Sequence, residues 1–120
     1  MAVSKGFLDF VVEHLDGCGP IVTKRMFGGV GVYSGDVFFA IVDNDILYLK
    51  ADDQTRGDFE RAGGAPFEPY GDGRTSMQYY AVPVSILEDA DAMTAWGRKA
   101  IAAAVRARDG SPRRGRRRNR

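Results

Sequence analysis

One cysteine, one histidine and one tryptophan are all that 120 residues supply of those types, and the scarcity excludes several kinds of chemistry. A lone Cys18 cannot form an internal disulfide or a cysteine-based metal cluster within one chain, so it reads as structural or simply exposed. A lone His14 leaves Ser34, Ser76 and Ser85 without a second imidazole for a Ser-His-Asp arrangement. His14 lies on the polar side of a helical pattern with no Cys, His or Asp at metal-ligand spacing, and it reads as a solvated surface residue with no metal bound. No run approaches the roughly 18 apolar residues that span a bilayer, and the N-terminus lacks the charged start and apolar stretch of a signal peptide. A cytoplasmic protein with no membrane partner is expected. No internal repeat is visible.

What is present suits one globular domain: 44% apolar residues, 11% aromatic residues and 15 glycines. The net charge of +1 hides an asymmetry, because residues 113–120 hold six of the 17 basic side chains and no acidic one. Residues 1–112 keep 11 basic against 16 acidic residues, a net of −5. Domain boundaries follow: a folded body over 1–110 and an arginine-rich tail over 111–120, disordered when free because it has nothing apolar to bury.

Phe7, Leu8, Val11, Val12 and Leu15 fall on one face of a helix that begins near Ser4 and stops at Gly17. Gly19-Pro20 opens a connector, after which apolar runs alternate with the turns Ser34-Gly35-Asp36, Asp43-Asn44-Asp45 and Gly71-Asp72-Gly73. This is the grammar of antiparallel hairpins. Val37 to Val42 and Ile46 to Leu49 are apolar on both alternating faces, which predicts strands inside a sheet with elements on each side. Asp52 or Asp53 caps a short helix that ends at Gly63-Gly64. Phe67 to Tyr70 and Thr75 to Val82 pair as strands, and Pro66 and Pro69 place the first at an edge. Pro83 fits a first helical turn, and Asp89 and Asp91 fit the start of a longer helix with Arg106 and Arg108 near its end. Met93, Trp96, Ala100, Ala103 or Ala104, and Ala107 trace its buried stripe, and Gly97 within it predicts a closely packed neighbour. The fold class is therefore α+β: one antiparallel sheet of about five or six strands with helices at both ends of the chain.

Several segments, in order over about residues 4–107, together resemble the N-terminal domain of the TfoX/Sxy family of bacterial competence regulators. They are Arg25-Met26-Phe27-Gly28-Gly29-Val30-Gly31-Val32-Tyr33, Phe39-Ala40, Leu47-Tyr48-Leu49-Lys50, Pro66-Phe67, Met77-Gln78-Tyr79-Tyr80-Ala81-Val82-Pro83 and Trp96-Gly97-Arg98-Lys99-Ala100. The resemblance implies an antiparallel sheet flanked by helices, similar in outline to secretion-chaperone-like folds. Full-length regulators of this family add a C-terminal helical domain for which this chain has no room, so their role in competence is not carried over. The resemblance assigns no catalytic residue and no cofactor.

The glycine block from Arg25 to Tyr33 admits two readings. Glycines let backbone N–H groups approach a phosphate, and Arg25, Gly28, Gly29 and Lys50 could surround an anion or nucleotide in a ligand-binding or enzymatic domain, or contact a partner. Yet these glycines enter a strand rather than a helix and lack the Lys-Ser/Thr ending of a phosphate loop, which favours a tight backbone crossing. Arg25 then reads as an ion-pair partner of Glu68 or Asp52. Asp43, Asp45, Asp52 and Asp53 read as turn and cap residues ahead of cation ligands. Tyr33, Tyr79 and Tyr80 form a candidate aromatic surface for a protein or a base, with Tyr48 beside them, although alternation puts Tyr79 and Tyr80 on opposite faces and one of them in the core. The tail arginines, Arg113, Arg114, Arg116, Arg117, Arg118 and Arg120, are candidates for sequence-independent contact with nucleic acid phosphates, with a solubilising tail as the plainer reading. The expected activity is non-enzymatic: a regulatory or protein-interaction domain, able to pair with a partner or a second copy at the edge near Phe67 to Tyr70, the prolines there equally serving to block pairing.

Overall fold

The computed structural model describes residues 3–26, 28–67 and 76–110. Phe27, the stretch from Glu68 to Thr75 with the Gly71-Asp72-Gly73 turn, and the whole arginine arm lie outside the described residues.

Ser4 caps the first helix, α1 (Lys5–His14), its Oγ accepting a hydrogen bond from the Phe7 N–H. The helix ends at His14, three residues ahead of Gly17, because Leu15 turns into a short 3-10 segment, Asp16–Cys18. Four strands then form a meander: β1 (Ile21–Met26), β2 (Gly29–Ser34), β3 (Val37–Asp43) and β4 (Ile46–Lys50). Asn44 and Asp45 both take positive φ, 55° and 57°, which gives the β3–β4 hairpin the twist its strands need. The Asp52 carboxylate accepts from the N–H groups of Gln54 and Thr55 and so organises the turn that opens α2 (Arg56–Arg61). The chain crosses to the edge strand β5 (Pro66–Phe67) and returns as β6 (Ser76–Ala81). Pro83 caps the single turn α3 (Val84–Leu87), and Asp89 accepts from the Ala92 N–H at the start of α4 (Ala90–Gly110).

The six strands are antiparallel in the order β1-β2-β3-β4-β6-β5, an α+β fold with β3 and β4 inside the sheet and the proline-bearing β5 at its edge. Val30, Val32, Phe39, Val42, Leu47, Leu49 and Tyr80 are buried against Val11 and Leu15 of α1, Phe59 of α2 and Met93, Ala100 and Ala104 of α4. Ile86 and Leu87 of α3 pack on the same cluster. Every described helix thus lies on one face of the sheet. The expectation of elements on each side of β3 and β4 is corrected: among the described residues no helix covers the second face, and the apolar side chains there pack on one another instead.

Candidate interaction surface

The second face carries Lys24 from β1, Tyr33 from β2, Phe38 from β3, Lys50 from β4 and Tyr79 from β6. A bulge sets this arrangement. Val32 pairs with Ala40, but Tyr33 pairs with Phe38, so β3 holds one residue more than β2 at that point. Phe39 joins Ala40 on the core side, fully buried, and Phe38 turns to the helix-free side. There its ring lies 5.0 Å from that of Tyr33 at an interplanar angle of 29°, and 6.0 Å from that of Tyr79 at 43°. Gly31 opens the floor beneath them, since a Cβ on it would stand 2.7 Å from Met26 Cε and 3.0 Å from Phe38 Cε1. A second aromatic pair, Tyr48 and Phe67, lies on the same face with ring centres 4.5 Å apart.

Ammonium groups flank the strip. Lys24 Nζ stands 5.1 Å from the centre of the Tyr33 ring and Lys50 Nζ 5.3 Å from that of Tyr79, both within reach of the negative π face. Lys50 is buried to 8% exposure, and its ammonium donates to Gln78 Oε1 at 2.8 Å. Burial lowers its pKa, only partly opposed by the Asp52 carboxylate, because a desolvated cation gains little from a neutral amide. Tyr79 is pushed up to about 12, by burial first and by Tyr33 second.

The remaining predicted residues scatter. Tyr80 faces the core at 1% exposure, its ring 5.8 Å from that of Phe59 and its hydroxyl donating to Glu60 Oε2 at 3.1 Å. Arg25 is exposed on edge strand β1, where it pairs with core-facing Val30, so it stands on the opposite face of the sheet from Lys50. The four candidate anion contacts therefore do not converge. Gly28 takes φ +82° in the β1–β2 turn, and a Cβ on Gly29 would stand 2.7 Å from the Val42 carbonyl oxygen, so both serve backbone geometry. Asp52 pairs with Arg106 of α4, and Glu68 lies outside the described residues. His14 is half-buried, tilted against Phe10 with ring centres 4.0 Å apart and Nδ1 3.0 Å from the Phe10 carbonyl oxygen, which corrects the solvated reading. Cys18 is buried, with its thiol directed at the Thr94 carbonyl oxygen and its pKa raised by burial, which removes the exposed reading. Lys24 and Phe38 were not marked by the sequence. Lysine on a polar edge strand gives no signal, and strict alternation would place Phe38 in the core.

A groove of about 500 Å³ between α2 and α4 is lined by Asp58, Arg98, Lys99 and Arg106. Two of its three cations are paired with carboxylates, Lys99 donating to Asp58 at 3.0 Å and Arg106 Nε to Asp52 at 2.6 Å, and Arg98 donates to the Gly17 carbonyl oxygen at 3.2 Å. The Arg106 hydrogen bonds hold the Asp52 carboxyl below its ordinary pKa. Its stabilising contribution is then complete above the unfolded pKa near 4 and is lost as pH falls through the lower folded value. The Asp52→Asn variant should melt a few degrees below the parent at pH 6, with the difference closing toward pH 2.5 in thermal scans. A difference independent of pH would assign the effect to the turn rather than the ion pair.

No helix among the described residues is long and apolar enough to cross a membrane, and no group of three or more His, Cys, Asp or Glu among them could hold a metal ion. No curated protein matches the chain. The model of the TfoX N-terminal domain matches residues 13–104, which takes in the last two residues of α1, the whole described sheet and most of α4. Six strands, flanking helices and a match over more than three quarters of the sequence agree, and the chain belongs to the TfoX N-terminal domain family.

Proposed function

We propose that this chain is a non-enzymatic regulatory domain that binds a protein partner through the helix-free face of its sheet. The observation that supports this most is the strip of Tyr33, Phe38 and Tyr79, flanked by Lys24 and Lys50, on a face that no described helix covers. Aromatic anchors with a charged rim are the composition that carries binding energy at protein interfaces. Membership of a family of competence-regulator domains fits a regulatory task. The separation of Arg25 from Lys50 weighs against the alternative of a small anion or nucleotide held between them. The arginine arm adds a second contact, to nucleic acid phosphates. Six arginines set a ceiling of about −5 on the slope of log affinity against log salt.

Affinity capture with nuclease-treated lysate separates the two contacts. A protein partner should survive both nuclease treatment and deletion of residues 111–120, and should fall at least tenfold with the Tyr33→Ser/Phe38→Ser double variant. Retention of every partner by that variant, with its fold intact by circular dichroism, would refute the face as the binding surface.

A further inference from the structure

Resting on the reading of this face as a protein-binding surface, we infer that its occupant is an extended acidic segment, with two carboxylates that meet Lys24 and Lys50 and apolar side chains between them. Charge is the first ground. Lys5, Lys99, Arg56, Arg61, Arg106 and Arg108 all have carboxylate partners within 4.0 Å. Four described cations have none among the described residues: Lys24 and Lys50 on this face, Arg25 on the other, and Arg98, which donates to the Gly17 carbonyl oxygen; of these only Lys50 is buried. Lys50 is a cation with more than nine-tenths of its surface buried, in contact with an amide oxygen and a ring face, while the nearby Asp52 carboxylate, itself paired with Arg106, offsets its burial only in part. A buried charge without a counter-charge costs stability, and an incoming carboxylate supplies what the fold leaves out.

Ring orientation is the second ground, and it separates a peptide from a nucleic acid. Base recognition on a sheet needs aromatic faces turned outward for stacking. Here the faces are taken: Tyr33 is flanked by Phe38 on one side and approached by the Lys24 ammonium, while Tyr79 is approached by Lys50 and tilted against Phe38. The stacking of Tyr33 on Phe38 leaves fewer open faces than a base-stacking platform needs, and ring edges, where the quadrupole is positive, are suited to a carboxylate. Two ammonium groups and positive ring edges make a surface for carboxylates and apolar side chains.

The spacing sets the pattern of the segment. Lys24 on β1 and Lys50 on β4 are three strand gaps apart and offset by two residues along the strands, about 16 Å at the usual strand spacing and rise, which an extended chain covers in roughly four to five residues. The acidic residues of the segment then lie about four to five positions apart, with apolar residues between them.

The test is selection of a displayed random dodecapeptide library on the full chain at physiological salt, with the enriched peptides titrated against the parent and a Lys24→Ala/Lys50→Met variant. Both chains carry the arginine arm, so its attraction cancels in the ratio. Enriched peptides should carry carboxylates at this spacing and bind the variant at least tenfold more weakly. The single variant Lys50→Met should melt no lower than the parent, which separates loss of binding from loss of fold. Enrichment of neutral or basic peptides that depend on Tyr33 and Phe38 would overturn the acidic occupant while leaving the face as a protein site. Peptides indifferent to the Tyr33→Ser/Phe38→Ser variant would overturn the face itself. A single-stranded dT12 oligonucleotide whose binding depends on Lys24 and Lys50 would assign the strip to nucleic acid and refute the inference.

Discussion

Replacement of Phe59 by alanine is expected to cost about 3–5 kcal/mol, a large share of the roughly 5–15 kcal/mol that holds a domain of this size together. Phe59 is fully buried, stacked on Tyr80 and set edge-on to Trp96 with ring centres 4.8 Å apart. It ties α2 to both β6 and α4. A six-residue helix has too few internal hydrogen bonds to persist without such an anchor, so the cavity left behind should also loosen α2. Urea unfolding followed through Trp96, the sole tryptophan and a direct neighbour of the ring, measures the loss. A cost under 1 kcal/mol would mean that Phe59 does not anchor the helix.

Gly97→Val should destabilise the chain by about 3 kcal/mol through overpacking. A Cβ on Gly97 would stand 2.7 Å from Cys18 Sγ and 2.9 Å from Leu15 Cδ2, and both side chains are buried with little room to retreat. The gain in helix propensity from removing a glycine, a few tenths of a kcal/mol for valine, does not offset that. Gly97→Ala is a useful companion, because its propensity gain of about 1 kcal/mol opposes a smaller clash. A valine variant as stable as the parent would show that α4 can shift away from the Cys18 turn at no cost.

Gly97 was legible in the sequence because an unfavourable residue in the middle of a strong helical stripe has few reasons to be there other than contact. The Ser4 cap, the Asp43-Asn44-Asp45 turn and the proline-marked edge were legible for the same reason, since each is a local preference that the tertiary fold leaves in place. The family was legible too, from blocks that fall within the matched residues 13–104. The candidate face was only half legible. Tyr33, Tyr79 and Lys50 were marked, but a single extra residue in β3 exchanges the sides of Phe38 and Phe39, and alternation cannot show a bulge. Apolar residues on both sides of β3 suggested two packed faces, when one packs on helices and the other on its own aromatic rings. The Asp52–Arg106 pair joins residues 54 positions apart, beyond what local reading reaches, and it withdrew Asp52 as a partner for Arg25.

The central claim, that the helix-free face is the binding surface, is tested most directly inside the native chain by fluorine NMR. Uniform labelling with 3-fluorotyrosine places probes on both faces of the sheet at once, at Tyr33 and Tyr79 on one and Tyr80 on the other. On titration with the captured protein partner, the Tyr33 and Tyr79 resonances should shift or broaden while that of Tyr80 holds its position. Movement of Tyr80 with Tyr33 and Tyr79 unchanged, or no movement at saturation, would contradict it.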